Sequence, residues 1–104
     1  EHVGLGRYGD PIDPDGTKKA CRELQRIMVP GGNLYVSVPI GRSSVCFNAH
    51  RVHFPKQILE YFSELQLRQF SVVDDEGNFH EDVPHGNWDN LEYGCGMFHF
   101  VKHL

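Results

Sequence analysis

Several stretches of this sequence carry residue types that do chemistry. Asn48-Ala49-His50-Arg51 sets an imidazole beside a guanidinium, with an amide two positions earlier. A His near neutral pKa serves as a general base, and an Arg clamps a carboxylate or phosphate through parallel N–H donors. The plainer reading is a loop ordered by Asn side-chain bonds, with His50 and Arg51 capping carbonyls. Gly4-Leu5-Gly6-Arg7-Tyr8-Gly9 matches G-x-G-x-x-G, but a nucleotide loop needs a helix starting at the glycines, so that its amides meet the pyrophosphate. Asp10-Pro11 follows at once and Pro14 delays the helix. The better reading is an irregular loop whose glycines permit tight turns, with Arg7 and Asp10 presenting charge to a substrate.

Seven histidines and three cysteines raise the question of metal. Cys46, His50 and His53 give C-x3-H-x2-H, and Cys95, His99 and His103 give C-x3-H-x3-H. On a strand, residues four apart share a face but lie about 13 Å from each other, too far to chelate one ion. No metal site is therefore expected. Cys21, Cys46 and Cys95 are an odd, widely spaced set, a poor disulfide framework, and no Asn-x-Ser/Thr acceptor occurs. Both features lean toward a reducing compartment.

The elements that must position these residues follow from periodicity. Asp13-Pro14 starts a helix over 14–29, with Ala20, Leu24, Ile27 and Met28 as its expected core stripe and Cys21 on the same side. Pro30-Gly31-Gly32 stops it. Leu34-Tyr35-Val36-Ser37-Val38 is apolar at both parities, as a strand buried on both faces of a parallel sheet would be. Residues 40–54 form a long connection, which places 48–51 beyond the carboxyl end of that strand, where open α/β sheets bind ligands. Pro55 opens a second helix with Ile58, Leu59, Phe62 and Leu65 as its stripe. Strands are expected over 67–73 and 96–101, joined by an acidic connection and therefore an antiparallel pair. Cys21, Met28, Phe62, Phe70 and Phe98 read as core.

The chain has 104 residues and a net charge of −4, with 39% hydrophobic and 23% charged residues. These are globular values for one domain, with no bilayer-spanning run. The acidic balance argues against a nucleic-acid partner bound through a basic surface. Residues 74–92 hold seven acidic side chains and no Lys or Arg, so they read as a solvated insertion with Trp88 folded back on the domain.

The turn Met28-Val29-Pro30-Gly31-Gly32-Asn33-Leu34 resembles the post-helix turn of class I S-adenosylmethionine-dependent methyltransferases. Glu1-His2 resembles their Glu-His pair after the fourth strand. More closely, residues 4–15, Pro30-Gly31-Gly32 and Phe47-Asn48-Ala49-His50-Arg51 resemble a nematode-associated domain family of unknown function. The resemblance implies an α/β architecture: the C-terminal half of a Rossmann-like methyltransferase fold, a parallel strand plus a terminal antiparallel pair, with residues 1–104 a single partial domain. It implies methyl transfer to a small or glycan-like acceptor, with His2 or His50 as base and Arg7, Asp10, Asn48 and Arg51 positioning the acceptor. S-adenosylmethionine would then be held by chain before Glu1, and residues 1–104 alone would not bind it. The alternative is a non-catalytic binding or scaffold module.

Overall fold

The computed structural model describes residues 15–42, 44–46 and 50–103. In chain order these form α1 (Gly16–Ile27), β1 (Asn33–Ile40), β2 (Ser44–Cys46), β3 (His50–Val52), α2 (Pro55–Tyr61), β4 (Leu65–Val73), β5 (Phe79–His80), a 3-10 turn (His85–Asn87) and β6 (Gly94–Lys102). The main sheet has the order β1-β6-β4-β5, and every pair in it is antiparallel. β2 and β3 make a separate antiparallel ribbon.

This corrects the expected parallel sheet and, with it, the Rossmann-like assignment. Among the described residues, the sole parallel pairing is one isolated bridge, Ile40 to His53. α1, the Pro30-Gly31-Gly32 turn and β1 do follow one another directly, and Gly31 supplies the left-handed turn residue at φ 79°. That local succession does not choose the strand's neighbour. β1 pairs with β6, the last strand, along its whole length from Asn33–Val101 to Ile40–Gly94. Nor is β1 buried on both faces. Leu34, Val36 and Val38 are half-buried against the helices, whereas Tyr35 is 73% exposed and Ser37 faces solvent. Tyr tolerates this because its apolar ring carries a polar tip.

One face of the sheet carries the core. On β6, Phe98 and Phe100 point toward the helices; β4 adds Leu65, Phe70 and Val72, with a bulge between Leu67 and Gln69. The extra residue switches parity, so Leu65 and Leu67 before it share a face with Phe70 and Val72 after it. Phe62 meets Phe100 at 5.0 Å, and Phe70 meets Phe98 at 5.0 Å. Ile58 and Phe62, both 2% exposed, bring α2 and its end onto this cluster, as their spacing predicts.

α1 is turned from its expected orientation. Leu24 is 39% and Ile27 62% exposed, while Cys21 and Gln25 are buried. Gln25 holds this rotation. Its Nε2 donates to the Cys21 carbonyl at 3.1 Å and the Tyr61 carbonyl at 2.7 Å, and its Oε1 accepts from the Glu64 N–H at 3.0 Å. A polar side chain satisfied at both ends is tolerated in the interior, and here it joins α1 to the turn after α2. Lys102 closes the other end, its Nζ donating to the carbonyls of Gln25 (2.7 Å) and Met28 (2.8 Å) at the C-terminus of α1, where the helix dipole favours a cation.

Candidate functional site

Between α1, β1, the end of β3 and α2 lies a cleft of about 130 Å³. Its walls are apolar: Ala20, Cys21 and Leu24 from α1, Val36 and Val38 from β1, and Ile58 and Phe62 from the α2 side. A cavity of about 150 Å³ with such a lining holds a benzene ring, so this one accommodates a group of that size. Thr17, Arg51 and His53 supply its polar end.

Arg51 is 7% exposed, and its Nη1 donates to Thr17 Oγ1 at 2.6 Å. Thr17 is thus one of the groups that hold the guanidinium, and β3 is tied to α1 through this bond. His53 is 8% exposed and sits edge-on to the Tyr61 ring, centroids 5.5 Å apart. Burial, and then the positive charge of Arg51, lower its pKa, so the imidazole is neutral at pH 7. Its backbone is fixed as well, with the His53 carbonyl accepting from Gly41 N–H at 3.0 Å. Gly41, at φ 147°, has no room for a Cβ, which would collide with the Leu91 carbonyl. Burial pushes the Cys21 thiol up to about 11. It stays protonated, and only a thiolate is a competent nucleophile.

Of the residues singled out from sequence, Arg51 lies in this cleft. His50 contributes its backbone to β3, paired with Cys46; its side chain lies outside what is described. His2, Arg7, Asp10 and Asn48 also lie outside the described residues, as do the glycines at 4, 6 and 9 and the Asp13-Pro14 helix start. Thr17 was not singled out, and His53 was weighed only in the C-x3-H-x2-H metal spacing. Both had a signal: His53 follows Arg51 by two, the same-face spacing of an extended chain, and Thr17 precedes Cys21 by four, the same-face spacing of a helix.

The acidic connection folds on itself. Asp74 accepts the N–H groups of Glu76 (3.0 Å) and Asn78 (2.9 Å) and pairs with His80 at 2.9 Å. The His80 partner and then the backbone bond from Asn78 hold the Asp74 carboxyl below its usual range. Asp75 accepts from the N–H groups of Glu92 and Tyr93, bending 74–93 into a closed loop. Trp88 folds back as expected, packing against the core with its Nε1 donating to the Pro84 carbonyl at 2.9 Å. Among the described residues, no group of three His, Cys, Asp or Glu side chains converges on a metal position, and no helix is long and apolar enough to cross a membrane.

Fold and cleft define a small mixed α/β domain: an antiparallel sheet with two helices on one face, and a pocket between them with a cationic end. Residues 1–74 match the family described as Caenorhabditis protein of unknown function, DUF268. The chain belongs to that family. No curated protein and no solved structure matches it.

Proposed function

We propose that the domain is a binding module for a small ligand with an apolar body and an anionic end, held in the cleft between α1 and α2. The observation that carries this reading is a buried guanidinium, Arg51, at the end of an otherwise apolar cleft of about 130 Å³. An apolar pocket with a guanidinium at one end matches a carboxylate or phosphate on a ring-sized group. The test is an NMR titration with benzoate, phenyl phosphate and benzyl alcohol. The two anions should shift the amides of residues 17–24 and 51–58, and the alcohol should bind more weakly. Arg51→Met should remove the preference for the anions, and Ala20→Leu should fill the cleft and abolish all three responses. Equal affinity for benzoate and benzyl alcohol would show that Arg51 plays no part in binding.

Methyl transfer to a small or glycan-like acceptor is the catalytic form of this proposal. The observation that favours it is His53, buried and neutral beside the guanidinium, the protonation state that can take a proton from a bound acceptor. The cleft is too small for S-adenosylmethionine, since pockets for ligands of that size run to roughly 300–1,000 Å³. The described residues therefore do not fit the cofactor, and no step is derived through it.

A further inference from the structure

The second face of the sheet, opposite the helices, carries a different kind of surface. Its side chains form cross-strand rows: Tyr35, His99 and Gln69 in one, Ser37, Met97 and Ser71 in the next. Phe79, 58% exposed, stands at the far corner on β5. Together they line a shallow groove of about 410 Å³. Tyr35 stacks on the His99 ring at 4.4 Å and 12°, and His99 Nε2 is held 2.8 Å from Asn33 Oδ1. This gives a braced aromatic plate in an exposed position.

We propose that this face binds a neutral oligosaccharide. A sugar ring presents a C–H face and an equator of hydroxyls. The first suits an exposed aromatic ring, and the second suits the amide of Gln69 and the hydroxyl of Ser37 beside it. On standard strand spacings Tyr35 and Phe79 lie about 20 Å apart across the diagonal, so the ligand is a chain of several sugars rather than one. Charge selects against the obvious rival. A single-stranded nucleic acid would also stack on these rings, but its affinity comes largely from Lys and Arg on phosphates. Among the described residues, no Lys, Arg, Asp or Glu lines the groove, and the chain carries −4 overall.

The test is an NMR titration of the 104-residue protein with tetrasaccharides from cellulose, chitin, mannan and (1→3)-glucan, and with a single-stranded oligouridylate. At least one sugar should shift the amides of 35, 37, 69, 79 and 97–99. Tyr35→Ala should weaken that binding about tenfold, the worth of one stacked ring, and Tyr35→Phe should restore most of it. Tyr35→Ala leaves the helix-covered core untouched, so its folding is checked by an unchanged spectrum elsewhere. The proposal is overturned if no sugar shifts this face at about 10 mM, a concentration that reveals even millimolar binding. Tighter binding by the oligouridylate, or sugar shifts confined to the α1–α2 cleft, would overturn it equally.

Discussion

The two faces of one strand, β6, differ as sharply as any two regions of the molecule. Phe98 and Phe100 point into the helices and are 2% and 1% exposed; Met97 and His99, interleaved with them, stay half-exposed on the other side. Stability therefore resides on one face, leaving the other free to carry exposed rings at little energetic cost. The comparison teaches that exposure of Tyr35 and Phe79 is not a packing failure. A domain this small covers one side of its sheet well with two helices, and the second side is available for recognition.

The largest expected effect is on the covered face. Phe98→Ala should destabilise the domain by roughly 3–5 kcal/mol, as buried Phe truncations do, whereas Met97→Ala should cost under about 1 kcal/mol. Urea denaturation of the pair measures both; equal costs would erase the distinction between faces. Next is Gln25→Ala, which strands the Glu64 N–H and the Tyr61 carbonyl. It should cost roughly 1–3 kcal/mol, with faster hydrogen exchange at Glu64.

The pH dependence sharpens the role of His53. Its folded pKa is depressed, so the unfolded chain binds a proton more readily than the folded one. Stability from this group is complete well above the unfolded value of about 6.5 and falls as pH drops through it toward the folded pKa. His53→Gln should flatten thermal stability across that window. Asp74 acts in a lower window: its contribution is present above the ordinary Asp range, about 3.9, and is lost as acid protonates it. The smallest effect is Tyr35→Ala, within about 0.5 kcal/mol in the same denaturation experiment, because the side chain is 73% exposed and its stack on His99 lies on the solvent face.

What was legible in the sequence followed local pattern. Pro55 opening α2, the Ile58–Phe62 pair, the strands over 67–73 and 96–101, each of which starts two residues earlier in the structure, and their antiparallel pairing came from spacing and from an acidic connector between them. The rotation of α1 was not legible, because the apolar stripe puts Leu24 and Ile27 inside and gives Gln25 no place there. Gln25 is buried through partners on another element, 36 and 39 residues away. Those bonds leave no trace in the helix's own sequence. The partner of β1 was hidden for a related reason, since a strand's apolar run records that it is covered and not by whom. In the cleft, Arg51 was singled out by type, while the open parallel sheet meant to place it is not formed. Thr17 and His53 gained their meaning only when β3 folded back on α1.

The place of β6 in the sheet has a consequence for the making of the protein. It is the last of the described strands in chain order, yet it lies between β1 and β4, which do not pair with each other. As the polypeptide leaves the ribosome, β1 emerges first and waits for β6, while β4 meets only the two-residue β5 before residue 102 is clear. At roughly 5–20 residues per second, the stretch from Ile40 to Lys102 leaves β1 waiting for several seconds. The six residues before its Pro39 contain no charge, which is the profile of a strand prone to wrong pairing. Assembly of the main sheet is thus set by the order of translation, and a nascent chain arrested before Gly94 should be the form that calls on chaperones.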